Sequence, residues 1–203
     1  MFITFEGIEG SGKSTQSKKL YEFLCSKNLQ VILTREPGGT LAGEKIRAIL
    51  LDEEIEKLDA KTELLLNFAA RLEHVEKLIK PALRDGKIVI CDRFFDSSFA
   101  YQGSAFGLDF AEIEQIKNFA IGDFAPDITF LIDAKVETTF ERIKNRSDNN
   151  RYEKLGFDFH QKVRDGFLQL AQKNSRIKII NGENSADKIF QLILKTLNYD
   201  QKK

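Results

Sequence analysis

Residues 2–15, FITFEGIEGSGKST, decide the fold of this chain. The apolar run at 2–5 is typical of a buried β-strand, and residues 7–14 directly after it fit the pattern G-x-x-x-x-G-K-[S/T]. The glycines let the backbone curl so that successive N–H groups point at one anion, and a helix that begins at Lys13 adds the positive end of its dipole. The stretch therefore predicts a phosphate-binding loop, or P-loop, and a chain that binds a nucleoside triphosphate.

Two side chains of the P-loop have roles that follow from their chemistry. Lys13 can reach the β- and γ-phosphates of ATP, and the hydroxyl of Ser14 can bind Mg²⁺. A glycine-rich turn that binds no ligand is the alternative interpretation. The ATP-binding residues predicted in the loop are Gly7, Ile8, Glu9, Gly10, Ser11, Gly12, Lys13, Ser14 and Thr15.

Strand and helix patterns alternate along the whole chain. Short apolar runs predict strands at 2–5, 31–34, 88–91, 128–132 and 177–180. Amphipathic stretches predict helices at about 13–27, 41–51, 60–84, 109–121, 135–146, 157–173 and 185–197. We therefore predict an α/β fold of three layers, the P-loop NTPase fold, in which a five-stranded parallel sheet is flanked by helices and residues 1–203 form a single domain. Ligands of such sheets bind beyond the carboxyl ends of the strands.

Composition excludes several classes of protein. Lys and Arg together number 31, as do Asp and Glu, so a zero net charge argues against a surface built for nucleic acid or an anionic membrane. No apolar run approaches the roughly 18 residues of a membrane span, and the first residues are too acidic for a signal peptide. Cys25 and Cys91 match no metal or disulfide spacing and are expected to be buried thiols of a reducing compartment. The chain is expected to be cytoplasmic.

The third predicted strand ends in Asp92-Arg93, which narrows the choice among P-loop proteins. The strings D-x-x-G and N-K-x-D of GTPases do not occur in the sequence. Asp92 suits a hydrated Mg²⁺, and the planar fork of Arg93 suits a second phosphate, which favours a substrate that is itself phosphorylated. A surface ion pair between the two side chains is the alternative.

Five motifs together give the chain a resemblance to bacterial thymidylate kinases. They are residues 5–15 (FEGIEGSGKST), 34–40 (TREPGGT), 68–71 (FAAR), 92–93 followed by Ser97 and 100–103 (AYQG), and 151–153 (RYE). The resemblance implies transfer of the γ-phosphoryl group of ATP to dTMP, which gives ADP and dTDP for dTTP biosynthesis. It also implies Mg²⁺ as cofactor and, usually, a homodimer. A kinase for another nucleoside monophosphate, a deoxynucleoside kinase or a non-enzymatic nucleotide switch is the alternative.

Phe68 and Arg71 are the predicted base-binding pair. They stand three residues apart on a predicted helix and so share a face. Phe68 can stack on a pyrimidine, and the resemblance assigns Arg71 to the O4 atom of thymine, where cytosine would present an amino donor. The alternative places Phe68 in the core and leaves Arg71 as a solvated charge.

The remaining dTMP-binding residues are carried over from the resemblance. Pro37 closes a wall of the site, and Ser98, Tyr101 and Gln102, on a short helix after Arg93, approach the base and sugar. Tyr101 would crowd a ribose 2′-hydroxyl. Glu9 would face the sugar 3′-hydroxyl or help to organise Mg²⁺. Packing or capping roles for these side chains are the alternative.

A lid is predicted at about 142–155. Arg142 and Arg146 are spaced i, i+4 and so share a helical face, although a solvated basic face would look the same. The resemblance implies an arginine either in the P-loop or in the lid. Because the residue after Glu9 is a glycine, we assign Arg146 of the lid to neutralise charge on the transferred phosphoryl group, as an arginine finger in cis. By the resemblance, Arg142 lies against adenine and Arg151 binds the acceptor side near the transferred phosphoryl group. Tyr152 and Glu153 close over the acceptor, with Glu153 either near the sugar 3′-hydroxyl or near Mg²⁺, where Ser14 and Asp92 are also predicted ligands.

Catalysis needs no strong general base, because the oxygen of a monophosphate is largely ionised at neutral pH. Positioning and charge neutralisation should supply most of the rate. The predicted catalytic residues are Lys13, Arg93, Arg146 and Glu9. His74 and His160 are expected at the surface or its boundary, without a chemical role.

Overall fold

The computed structural model describes residues 1–55, 58–144, 152 and 155–199. The strands are β1 Phe2–Glu6, β2 Val31–Arg35, β3 Ile88–Asp92, β4 Ile128–Asp133 and β5 Ile177–Asn181. The helices of more than eight residues are α1 Lys13–Ser26, α2 Leu41–Leu51, α3 Ala60–His74, α6 Phe110–Ile121, α8 Phe157–Lys173 and α9 Ala186–Thr196. The shorter ones are α4 Lys80–Arg84, α5 Phe95–Ser98 and α7 Val136–Ile143, and two π-helical segments lie at Val75–Ile79 and Phe99–Ala105.

The five strands form one parallel sheet in the order β2-β3-β1-β4-β5. In β1, Phe2 packs into an apolar cluster with α3, α4 and α6, whereas Ile3 and Phe5 pack into a second cluster with α1 and α9. Side chains of β1 therefore alternate between two helical layers, and all five of its residues are buried. The predicted three-layer α/β P-loop fold is confirmed.

The predicted elements differ from the observed ones mainly at their ends. Each strand extends one residue further and ends in a polar side chain of the ligand-binding edge. The helix predicted at 60–84 is interrupted by the π segment Val75–Ile79. Pro81, which lacks a backbone N–H, lies just beyond that segment and removes one donor from a regular helical ladder. Cys91 is fully buried as expected, but Cys25 is only half-buried.

Every helix within residues 1–55, 58–144 and 155–199 is too short or too polar to traverse a lipid bilayer.

Candidate active site

The P-loop follows β1 and leads into α1, as its sequence predicts. Gly7 and Gly10 have φ angles of 144° and 75°. A Cβ atom on Gly7 would lie 2.6 Å from the carbonyl oxygen of Ile132, and one on Gly10 would lie 2.7 Å from that of Thr139. Both positions therefore require glycine for conformation and for space.

The side chain of Lys13 folds back against the P-loop. Its ammonium group donates to the carbonyl oxygen of Ile8 at 3.3 Å, and the side chain is nearly buried. Burial, reinforced by the nearby Arg93, lowers the pKa of Lys13 below its ordinary value. A phosphate group bound in the loop would supply the compensating negative charge.

Ser14 and Asp92 meet at the ends of α1 and β3. The Ser14 hydroxyl donates to Oδ2 of Asp92, while Oδ1 of Asp92 is buried without a hydrogen-bond partner among the described residues. An unpaired buried carboxylate oxygen beside a hydroxyl fits a hard cation such as Mg²⁺. In the described part of the chain no group of three or more His, Cys, Asp or Glu side chains could hold a metal, so phosphate and water would have to complete the coordination.

Arg93 occupies the centre of the site. Its NH1 atom donates to the carbonyl oxygen of Gly7 at 3.0 Å and to Oγ of Ser97 at 3.1 Å. Its NH2 atom donates to Oε1 of Glu9 at 2.8 Å and to the hydroxyl of Tyr101 at 3.0 Å. Burial alone would lower the pKa of Arg93, but Tyr101 and the surrounding carboxylates outweigh it and hold the pKa above its ordinary value. The Arg93 backbone has a φ of 73°, which is uncommon outside glycine and directs the side chain back over the P-loop.

Glu9 is held by three side chains. Both of its oxygens lie 2.7 Å from the Tyr101 hydroxyl, Oε1 also accepts from Arg93, and Oε2 lies 3.4 Å from Nδ1 of His160. Burial would raise the pKa of Glu9, but Arg93 and His160 outweigh it and hold the pKa well below its ordinary value. Glu9 is therefore an anion at neutral pH with a fixed orientation.

Glu6 is a buried residue of the site that our sequence reasoning missed. Its carboxylate accepts from the backbone N–H of Phe94 at 2.7 Å and from the Ser97 hydroxyl at 2.6 Å, and it lies 3.9 Å from Arg93. Burial, with Asp96 nearby, raises the pKa of Glu6 to about 7. An acidic residue at the end of an otherwise apolar strand was the signal that could have revealed it.

A cleft opens beside Glu9 and Arg93. Eight predicted dTMP-binding residues line it: Glu9, Pro37, Arg71, Arg93, Ser98, Tyr101, Gln102 and Tyr152. Six further lining residues were not predicted: Glu36, Arg47, Leu50, Leu51, Asn67 and Ser97. Most of the residues predicted to bind dTMP therefore line one cavity.

Arg71 is buried on the cleft wall, so the alternative of a solvated charge is wrong. Its Nε atom donates to Oε2 of Glu36 at 2.7 Å, and its NH1 and NH2 atoms donate to Oγ of Ser98 at 3.0 Å and the carbonyl oxygen of Phe94 at 3.2 Å. Phe68 lies in the core, and the Arg71 guanidinium carbon lies 4.5 Å from the centre of its ring. Phe68 is not among the cleft-lining residues, and its stacking on a base stays a prediction.

The expected surface position of both histidines is wrong. His74 is fully buried, with Nδ1 3.1 Å from Oε1 of Glu36 and Nε2 2.8 Å from Oγ1 of Thr34. His160 is equally buried and faces Glu9. Each imidazole meets a carboxylate brought from a distant part of the chain. The position of His74 three residues after Arg71, on the same helix face, was the available signal.

Arg47, on α2, faces the turn that contains Pro37. It is half-buried and its NH1 atom donates to the carbonyl oxygen of Pro37 at 3.0 Å. Burial, together with the neighbouring Arg35, lowers the pKa of Arg47 below its ordinary value. The helix α2 is positioned by its N-cap Thr40, whose hydroxyl oxygen accepts from the N–H of Gly43. Three arginines of the described residues thus line the cleft, and Arg47 and Arg93 could bind an anion there, while Arg71 pairs with Glu36.

Ser98 ends α5, and Tyr101 and Gln102 lie on the π segment Phe99–Ala105. All three are buried against the cleft. Nε2 of Gln102 donates to Oε2 of Glu63 at 3.1 Å, and the hydroxyl of Tyr152 donates to the same oxygen at 3.1 Å. The short helix predicted after Arg93 is thus present. Its residues Ser98, Tyr101 and Gln102 all line the cleft.

The lid prediction is only partly within the described residues. Arg142, near the end of α7, donates to the carbonyl oxygens of Ser11 at 3.4 Å and Gly182 at 3.0 Å, which places it at the outer side of the P-loop. Arg146, Arg151 and Glu153 lie outside the described residues. Their roles stay predictions, as does the adenine contact of Arg142.

Known proteins of similar sequence and fold point to one family. The family model for thymidylate kinase matches residues 5–193. Relatives named thymidylate kinase include one from Clostridium novyi, 44% identical over 193 residues that cover 94% of each chain, and one from Bacillus velezensis, 41% identical over 206 residues that cover 100% of this chain and 97% of the relative. A crystal structure of thymidylate kinase from Ehrlichia chaffeensis has a TM-score of 0.79 and 43% identity, and the match covers 97% of this chain and 98% of that one. These matches, together with the P-loop and the cleft beside it, show that the chain belongs to the thymidylate kinase family.

Proposed function

We propose that this chain transfers the γ-phosphoryl group of ATP to dTMP, giving ADP and dTDP, as a step in dTTP biosynthesis. The observation that carries the proposal is the position of Arg93. Its guanidinium bonds to the Gly7 carbonyl of the P-loop and at the same time lines the adjoining cleft. One cation therefore joins the predicted triphosphate-binding loop to the adjoining cleft, which most of the predicted dTMP-binding residues line.

On the donor side, the P-loop residues 7–15 cradle the phosphates of ATP through backbone N–H groups, and Lys13 moves from the Ile8 carbonyl to the β- and γ-phosphates. Arg142 lies against the adenine. Ser14 and Asp92 hold Mg²⁺, with Glu153 from the lid nearby. When bound there, Mg²⁺ neutralises phosphate charge.

On the acceptor side, Arg93 and Arg47 bind the phosphate of dTMP and hold its oxygen in line with the γ-phosphate. That oxygen is already ionised, so neither histidine is required as a base. Glu9, held as an anion by Arg93 and Tyr101, accepts from the sugar 3′-hydroxyl. Tyr101 fills the space of a 2′-hydroxyl, which favours a deoxyribose.

The base lies against Arg71, whose guanidinium donates to O4 of thymine. Pro37, Ser98 and Gln102 complete the walls around the base and sugar, and Tyr152 closes the cleft. Arg146 and Arg151, from the lid, complete the charge around the transferred phosphoryl group.

A homodimer and a cytoplasmic location belong to the same proposal. Large apolar side chains are exposed on neighbouring helices, with Leu65 on α3 55% and Phe119 on α6 90% exposed, and covering them would favour association. Analytical ultracentrifugation tests the dimer, and a monomer at micromolar concentration would contradict it.

The decisive experiment measures the formation of ADP and of the phosphorylated acceptor from ATP and Mg²⁺, with dTMP, dUMP, dCMP and dAMP as acceptors that would give a diphosphate and thymidine as an acceptor that would give a monophosphate. We expect dTMP to have the highest kcat/KM. Faster turnover of dCMP or of thymidine, or ATP hydrolysis without a phosphorylated acceptor, would overturn the proposal.

A further inference from the structure

Glu63 is a buried carboxylate that accepts hydrogen bonds from two cleft-lining residues, Gln102 and Tyr152. It lies on α3 with 1% of its surface exposed, and it precedes Asn67 and Arg71 at intervals of four residues, so the three share one helix face. Asn67 donates through Nδ2 to the backbone carbonyl of Glu63 at 2.8 Å. The polar side chains of Glu63, Asn67 and Arg71 therefore come from one helix, whereas Gln102 lies on the π segment Phe99–Ala105.

The orientation of the Gln102 amide is set at this carboxylate. Nε2 of Gln102 lies 3.1 Å from Oε2 of Glu63, and Gln102 is 3% exposed. A carboxylate accepts hydrogen bonds and does not donate them, whereas an amide has a donor end and an acceptor end. A contact with the Glu63 carboxylate therefore fixes the NH₂ end of Gln102 away from the base and leaves Oε1 as the end available to it.

We propose that Glu63 is a positioning residue for base specificity, acting through Gln102. This inference rests on the proposed placement of the base in the cleft. Arg71 then presents donors and Gln102 presents an acceptor along one wall. Thymine offers the matching pair, an O4 acceptor beside an N3–H donor, while cytosine offers an amino donor beside an unprotonated N3 acceptor and is mismatched at both atoms.

The test compares dTMP with 5-methyl-dCMP, since the two nucleotides differ only at the edge that is read. We measure kcat/KM for both with ATP in the parent, Glu63→Gln, Gln102→Leu and the double variant. Glu112→Gln is the matched control, because Glu112 pairs with Lys61 on the surface away from the cleft.

In Glu63→Gln the introduced amide can face Gln102 with either of its ends, so Gln102 is free to turn its own NH₂ end to the base. We expect the ratio of kcat/KM for dTMP to that for 5-methyl-dCMP to fall about tenfold, which corresponds to about 1.4 kcal/mol. The same ratio should stay unchanged in Glu112→Gln.

The double variant separates positioning from general damage to the fold. If Glu63 acts through Gln102, its substitution has no further effect on the ratio once Gln102 is leucine. An unchanged ratio in Glu63→Gln, or two effects that add fully, would overturn the inference. If Glu63→Gln does not fold, Glu63→Asp withdraws the carboxylate from Gln102 while keeping its charge, and the same loss is expected.

Arg71→Ala distinguishes failure of the inference from failure of the base placement. An unaltered KM for dTMP in Arg71→Ala would contradict the placement of the base and with it the inference. A raised KM in Arg71→Ala with an unchanged ratio in Glu63→Gln would leave the placement supported and reject the role of Glu63 alone.

Discussion

Arg71 and Glu36 form an ion pair that is almost wholly removed from solvent, with 2.7 Å between Nε and Oε2 and 3% of each side chain exposed. The other oxygen of Glu36 lies 3.1 Å from His74. Glu36 thus joins the turn before α2 to two successive turns of α3. Removing one partner of a buried pair leaves an uncompensated charge, which costs much more than the pair itself contributes.

Glu36→Gln is therefore expected to lower the free energy of unfolding by about 3 kcal/mol or more and to raise KM for dTMP more than KM for ATP. Urea denaturation and steady-state kinetics measure the two effects. Glu112→Gln, at a surface pair, should change stability by about 0.5 kcal/mol or less. Equal losses in the two variants would contradict the role of the buried pair.

Arg93→Lys tests the central cation. Lysine keeps the charge but cannot reproduce the four contacts that the planar guanidinium makes with Gly7, Ser97, Glu9 and Tyr101. We expect kcat to fall by about a hundredfold or more, with a much smaller change in the dissociation constant of an ATP analogue. The matched control is Arg35→Lys, because Arg35 is exposed and pairs with Glu44. Turnover near that of the parent in Arg93→Lys would remove Arg93 from the catalytic centre.

Glu6 should impose a pH dependence on stability. Its pKa in the folded chain is about 7, above the ordinary 4.5, so the folded state keeps a proton that the unfolded chain has released. Stability from this group therefore declines as pH rises from about 4.5 to about 7, by up to about 3 kcal/mol. Glu6→Gln removes the titration, so its stability relative to the parent should rise over that range. Urea denaturation at several pH values measures this, with exposed Glu22→Gln as control. A constant difference between parent and Glu6→Gln would contradict the shifted pKa.

Arg146→Ala tests the predicted finger of the lid. If Arg146 neutralises charge that develops on the phosphoryl group only in the transition state, kcat should fall by about a thousandfold. The dissociation constant of dTMP should stay almost the same. Lys144→Ala, at an exposed cation just after α7, is the control. Similar turnover in Arg146→Ala and the parent would exclude the role.

Local patterns were enough to predict the P-loop, the five strands and the edge at which Asp92 and Arg93 emerge, because strand and loop signals are encoded by neighbouring residues. They also placed Phe68 and Arg71 on one helix face. The helical repeat predicts which face of the helix a residue lies on, but not how deeply its side chain is buried. It could therefore not show that Arg71 is buried over the ring of Phe68.

Contacts between distant segments account for what was missed. Glu6 reaches Phe94, His160 reaches Glu9, and His74 reaches Thr34, each across at least 40 positions. The local sequence marks Glu6 and His74 as unusual, but it does not show which distant residue each one contacts. The two histidines were expected at the surface, and Glu6 was not predicted at all, because the groups that face them lie on other elements.

The parallel ladder between β1 and β3, in which Phe5 pairs with Asp92, has a mechanical consequence. The P-loop, proposed to bind ATP, and Arg93, proposed to bind dTMP, directly follow two adjacent strands of the same sheet. The distance between the ends of β1 and β3 is set by the spacing of hydrogen-bonded strands, about 4.8 Å, and not by a hinge. We therefore expect the distance between the two strand ends to stay constant when either nucleotide binds or leaves.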